Sequence, residues 1–157
     1  MSVFSTHKKA GIHIAYIKER ILTNLLTRGC SSLTREYILV INPGSTSTKV
    51  ALFKEGRSIK QKNLSHPNEE LEKFAKITDQ YNYRKDIILG WLKEEGVELQ
   101  SLSGVVGRGG LLKSMPSGTY KVTDAMIEDL RIGVQGEHAS NLGGIIAKSI
   151  GDSQGIL

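Results

Sequence analysis

The chain has 157 residues, 39% apolar and 24% charged, an ordinary balance for one globular domain with a real core, and no apolar run is long enough to span a bilayer. Its single cysteine, Cys30, excludes an internal disulfide framework and fits a reducing, cytoplasmic setting. The net charge of +5 sits mainly in residues 1–37, which carry six basic and two acidic residues; the rest carries fifteen and fourteen, with no basic, aromatic-interleaved stripe for nucleic acid.

Residues 1–37 read as a basic extension, disordered or a short helix. Ile14, Ile17, Ile21 and Leu25 recur at helical spacing, with Leu22 and Leu26 alongside. An Arg/Lys-rich, acid-poor composition suits a targeting peptide; translation from a start codon placed too early accounts for the same segment. The domain proper then covers residues 38–157. Two apolar runs, Tyr37 to Ile41 and Val50 to Phe53, read as short buried strands. Between them lies Asn42-Pro43-Gly44-Ser45-Thr46-Ser47-Thr48-Lys49, a turn that closes the strands into a hairpin. Its free backbone N–H groups form an anion nest, and its hydroxyls suit phosphate oxygens or a bound Mg²⁺. An ordinary polar turn is the plainer alternative, because Gly, Ser and Asn favour turns for backbone reasons. Ser58 to Leu64 is expected as a third strand, completing an antiparallel meander. Asn68 offers an N-cap to a helix with Leu71, Phe74 and Ala75 inward. A second helix runs from about Arg84 to Glu95 on an apolar face of Ile87, Ile88, Trp91 and Leu92, and Gly96 stops it.

Leu102 to Val106 is a fourth strand leading into Gly107-Arg108-Gly109-Gly110. Arg108, at the end of a β-run and flanked by glycines, is placed to grip a carboxylate or phosphate with its guanidinium fork; a surface Arg in a flexible turn is the alternative. Gly107 to Ser114 imitates a P-loop, but Leu112 stands where the second Gly belongs, and Pro116 and Gly118 oppose the required helix. Tyr120 to Val122 is a short strand, and Thr123 caps a helix carrying Met126, Ile127 and Leu130. The last helix, about Ala139 to Ile150, follows Gly136-Glu137-His138-Ala139-Ser140-Asn141. A helix start favours anions, so His138 and neighbouring N–H groups suit phosphate oxygens, with Asn141 as a further donor. A cap or a solvated side chain is the plainer reading of a lone His. Gly143 and Gly144 cost about 1 kcal/mol each relative to Ala in a helix, which points to a ligand or backbone approaching closely.

These three motifs, in this order, resemble those of the butyrate kinases in the acetokinase family, within the acetate and sugar kinase, Hsp70 and actin superfamily. The resemblance covers residues 37 to 155. It implies an α/β fold, the N-terminal ribonuclease-H-like domain of that superfamily, with a mixed sheet, flanking helices and an incomplete C-terminal end. It implies reversible phosphoryl transfer from ATP to butyrate, giving butyryl phosphate and ADP, with ATP and Mg²⁺ as cofactors. Arg108 and His138 take the catalytic positions. Asn42, Gly44, Ser45, Thr46, Ser47, Thr48 and Lys49 take the phosphate and Mg²⁺ positions, the metal being met by Asn42 or the hairpin hydroxyls. Gly109, Gly110, Asn141, Gly143 and Gly144 support them. Butyrate or a similar short-chain acid is the partner, with neither nucleic acid nor membrane, and full-length relatives are expected to be homo-oligomers. The chain departs from the acetate kinases at Arg108, where their His before two glycines is missing. Family members continue into a catalytic Asp and an adenosine-binding domain, so residues 1–157 alone are expected to be an inactive fragment. The alternatives are a kinase for a branched-chain acid, propionate or acetate, or a non-catalytic half-fold acting as an interaction module.

Overall fold

The structure, a computed structural model, describes residues 13–17 and 35–156. One mixed sheet of six strands organises them. The strands are β1 (His13–Ile17), β2 (Tyr37–Pro43), β3 (Ser47–Lys54), β4 (Arg57–Ser65), β5 (Leu102–Arg108) and β6 (Thr119–Tyr120), in the spatial order β4-β3-β2-β5-β1-β6. β2, β3 and β4 form the expected antiparallel meander, and β5 joins β2 in parallel. The helices are α1 (Asn68–Leu71), α2 (Tyr81–Glu94), α3 (Asp124–Ile132) and α4 (Asn141–Ser153). The fold is therefore α/β, with the mixed sheet and flanking helices that the sequence implies. Among the described residues no helix is long and apolar enough to cross a membrane.

The alternation of β2 and β3 sorts their side chains onto two faces. Leu39 and Ile41 of β2, Val50 and Leu52 of β3 and Val105 of β5 are buried with Ile88, Trp91 and Leu92 of α2 and Leu142, Ile145 and Ile146 of α4. The other face carries the alternate residues, among them Val40, Asn42, Lys49 and Ala51. β4 is exposed along nearly its whole length and carries Lys60 and Lys62, a charged edge that discourages pairing with another chain.

Three local expectations are corrected. Residues 13–17 form a strand, not the first turn of a helix: β1 pairs antiparallel with β5. Two isoleucines and a tyrosine in five residues suit a strand, and the outer edge of β5 supplies backbone partners that a helix would leave unpaired. Ile21, Leu22, Leu25, Leu26 and Cys30 lie outside the described residues. Asn68 is the first residue of α1 rather than its cap; Pro67 precedes it without a side-chain cap bond, the helix has four residues, and none is buried. Phe74 instead packs its ring on Tyr83. α2 begins three residues earlier than expected, at Tyr81, following a 3-10 turn over Ile77–Gln80. Thr123 does cap α3, accepting a hydrogen bond from the Met126 N–H at 3.3 Å. Residues 114–118 form no helix, and Lys113 pairs with Asp129 at 2.9 Å, so the P-loop imitation has no phosphate geometry.

Candidate functional site

Asn42 pairs with Lys49 across the hairpin, and Lys49 pairs in turn with Asn63 of β4. On the other side of β2 the last ladder partners are Ile41 and Gly107, so Arg108 flanks Asn42 one residue on. Asn63, Lys49, Asn42 and Arg108 thus form one polar row across four strands. Two residues deeper, Gln61, Ala51, Val40 and Val106 form a second row, apolar from Ala51 to Val106. All of the first row and Gln61, Ala51 and Val40 of the second line a cavity of about 370 Å³, with Val50 and Lys62. Among the described residues neither the Arg108 guanidinium nor the Lys49 ammonium has a hydrogen-bond or ion-pair partner. Two unpaired cations and an amide above a small apolar floor suit a ligand with an anionic head and a short alkyl tail.

The hairpin tip separates into outward and inward groups. Ser45 and Thr46 are exposed. The Gly44 N–H closes the turn onto the Ser47 carbonyl at 2.7 Å, and so does not face a ligand. Thr48 is fully buried. Its hydroxyl lies 2.8 Å from His66 Nε2 and accepts from Arg84 Nη1 at 3.3 Å. The expectation that Thr48 meets phosphate or Mg²⁺ is corrected: its place on the inward-facing side of β3 gives it to the core. Of the hairpin's side-chain oxygens, those outside the core are the Asn42 amide, which lines the cavity, and the hydroxyls of Ser45, Thr46 and Ser47.

His66 is 3% exposed, with its ring edge toward Tyr83 at 5.5 Å. Its Nδ1 is buried without a partner among the described residues. Burial, reinforced by the nearby Arg84 charge, lowers its pKa to about 4.

α4 is set against the sheet by glycines. A Cβ on Gly107 would lie 2.3 Å from the Gly143 carbonyl oxygen, and one on Gly143 would lie 2.9 Å from the Arg108 carbonyl oxygen and 3.3 Å from Pro43 Cδ. Gly143 therefore admits backbone rather than ligand, and the Gly144 nitrogen would lie 2.8 Å from the same Cβ on Gly107. Their consequence is that the N-terminus of α4 reaches the ends of β2 and β5, beside the polar row. Gly109 continues this approach with φ +89°, and a Cβ there would lie 2.8 Å from Ser140 Cβ. The Arg108 and His138 motifs meet at that contact.

His138 is exposed and does not line the cavity. Its Nδ1 accepts the Ser140 N–H at 3.1 Å and lies 2.8 Å from the Ser140 hydroxyl. The neutral ring therefore carries its proton on Nε2, the nitrogen turned away from the helix start. Asn141 is not a free donor. Its Oδ1 accepts from the Leu111 N–H at 2.8 Å, and its Nδ2 donates to the carbonyls of Gly136 at 3.0 Å and Leu130 at 3.4 Å. Buried at 2% exposure, it ties the Gly109–Leu111 turn to the segment that carries His138. Gly110, with φ +121°, lies inside the same turn.

Arg84, Gln80 and His66 escaped the sequence reading. Arg84 lies one, two and two helical turns from Ile88, Trp91 and Leu92, so a charged residue on an apolar stripe was the available signal.

No protein-family model matches the chain. It is 56% identical over 119 residues to a Clostridium botulinum protein named "Probable butyrate kinase", an alignment covering 76% of this chain and 34% of the relative. It is 57% identical over 113 residues to butyrate kinase 1 of Clostridium acetobutylicum, covering 72% and 32%. Butyrate kinase 2 of the same organism is 53% identical over 119 residues, covering 76% and 33%. The chain is thus a homologue of butyrate kinases and spans about a third of the length of the relatives it matches.

Proposed function

We propose that this chain carries the acyl- and phosphoryl-binding part of a cytoplasmic butyrate kinase. The observation that carries the reading is the polar row Lys49–Asn42–Arg108 set directly above the Val40–Ala51 floor. In the forward reaction a butyrate carboxylate oxygen attacks the γ-phosphorus of ATP. The bond from that phosphorus to the β,γ-bridging oxygen breaks, and ADP leaves with the electron pair. The transition state is loose, so the protein contributes position and charge rather than covalent chemistry. Arg108 and Lys49 offset the negative charge on carboxylate and equatorial phosphoryl oxygens, and Asn42 between them donates from its amide. Val40 and Ala51 receive the alkyl chain. The tip N–H groups of Ser45 and Thr46 hold phosphate oxygens, and His138 presents its Nε2–H at the same end of the sheet.

Mg²⁺ supplies charge neutralisation between the nucleotide phosphates when bound. Among the described residues no three acidic, His or Cys side chains gather to hold a metal. The Asn42 amide oxygen or a hairpin hydroxyl would hold such an ion alongside the nucleotide.

The test is a chimera in which residues 37–157 replace the matching third of the C. acetobutylicum butyrate kinase 1 chain, assayed for butyryl phosphate with propionate, acetate and branched acids as competitors. Activity within tenfold of the parent, falling at least a hundredfold with Arg108→Ala, supports the reading. A folded chimera that phosphorylates no carboxylate overturns it.

A further inference from the structure

Arg84 is 1% exposed, and five hydrogen bonds match its five N–H donors. Nε and Nη2 donate to Gln80 Oε1 at 3.0 and 2.9 Å. Nη1 donates to the Gly44 carbonyl at 2.8 Å and to Thr48 Oγ1, and Nη2 donates to the Ser45 carbonyl at 2.8 Å. No carboxylate is among these partners, so a positive charge is buried under the hairpin tip without a counter-ion among the described residues. Burial lowers its pKa, as expected for a cation in such a place.

The peptide geometry gives this clamp a consequence. The Gly44 carbonyl shares a peptide plane with the Ser45 N–H, and the Ser45 carbonyl with the Thr46 N–H. Both bonds are trans, so each N–H points opposite to its carbonyl. With both carbonyls drawn inward to Arg84, both N–H groups face outward. Neither has a hydrogen-bond partner among the described residues. Two adjacent N–H groups aimed the same way over a buried cation form a ready anion seat.

We propose that Arg84 is a positioning residue for phosphate: it holds the Gly44–Ser45 and Ser45–Thr46 planes with their N–H groups outward, and the bound phosphate is the counter-charge to its guanidinium. Gln80 fixes the fork from behind, and the buried Thr48–His66 pair closes its side. The proposal rests on the phosphate reading of the hairpin tip, and the test separates the two.

The test uses ¹⁵N NMR of the 157-residue chain with inorganic phosphate as probe, and amide exchange at Gly44 and His66, whose N–H groups bond to Ser47 and Thr46 carbonyls within the tip. The variants are Arg84→Lys, which keeps charge but loses the fork, and Gln80→Met, which leaves Arg84 in place and serves if the first does not fold. The wild type is expected to show saturable shifts at Ser45 and Thr46. Both variants are expected to weaken phosphate at least tenfold and to speed Gly44 and His66 exchange at least tenfold, with α4 exchange unchanged. Phosphate should slow Gly44 exchange in the wild type alone, which a merely structural role for Arg84 does not predict. Unchanged exchange and affinity in a folded variant overturn the positioning role. Absence of shifts in the wild type overturns the phosphate reading and the counter-charge with it, while the exchange comparison still decides whether Arg84 orders the tip.

Discussion

Two arginines bracket the hairpin tip and do opposite work. Arg108 stands on the open face of the sheet with no protein partner among the described residues, beside Asn42 and Lys49. Arg84 comes from the helix-covered face, is buried, and commits every donor to Gln80, Thr48 and the carbonyls of Gly44 and Ser45. One guanidinium is left without a partner among the described residues, and the other is used up in holding the loop beside it. A site for an anion needs both, since a free cation binds weakly unless the dipoles around it are already aimed.

That contrast breaks most visibly in stability. Arg84→Ala strands the part-buried Gly44 and Ser45 carbonyls and the buried Gln80 amide oxygen and should cost roughly 3–5 kcal/mol of unfolding free energy by urea titration. A loss under 1 kcal/mol would mean the clamp is not formed. Gly107→Ala forces a methyl into the Gly143 carbonyl and should cost about 2–3 kcal/mol, because backbone rather than a flexible side chain must move. It should also move the His138 amide resonance, as α4 carries that segment with it. Acid supplies a third effect. The folded pKa of His66, about 4, lies below the ordinary 6.5, so the native state favours the neutral ring. Its contribution is fully present above pH 6.5 and is lost as pH falls toward 4, on the order of 3 kcal/mol in all. The groups facing it are Thr48, Arg84 and Tyr83. His66→Gln should flatten that part of a stability-against-pH profile, and an unaltered slope would assign the acid sensitivity elsewhere. Arg108→Ala should shift stability by no more than about 0.5 kcal/mol, since it removes an exposed side chain without partners among the described residues.

The outward half of the site was legible in the sequence, and the inward half was not. Ser45, Thr46 and Arg108 announce themselves because Gly, Ser and Thr turns and a Gly-flanked Arg have local meaning. Thr48 looked equivalent to its neighbours, yet the two-residue period of β3 turns it into the core beside Val50 and Leu52. Arg84 reaches Gly44 across 40 positions of sequence, a contact that only the packing of α2 under the hairpin creates. Gly143 was rightly read as a close approach, although its partner, the β5 backbone, needed the sheet to identify it. Asn141 was assigned to a ligand because its amide suits one; the Leu111, Gly136 and Leu130 backbone groups take it instead. β1 was misread because apolar residues three apart fit a helix until the edge of β5 is known to be there.

The central claim is that the row Lys49–Asn42–Arg108 above the Val40–Ala51 floor receives an acyl phosphate. The most direct measurement is an NMR titration of the chain with butyryl phosphate, following the Arg108 side-chain Nε–H, the Asn42 amide and the methyl groups of Val40 and Ala51, in wild type and Arg108→Ala. The account predicts saturable shifts at head and floor together in the wild type, and at least a tenfold weaker midpoint in the variant. Shifts confined to other regions, or a midpoint unchanged by the loss of Arg108, would contradict it.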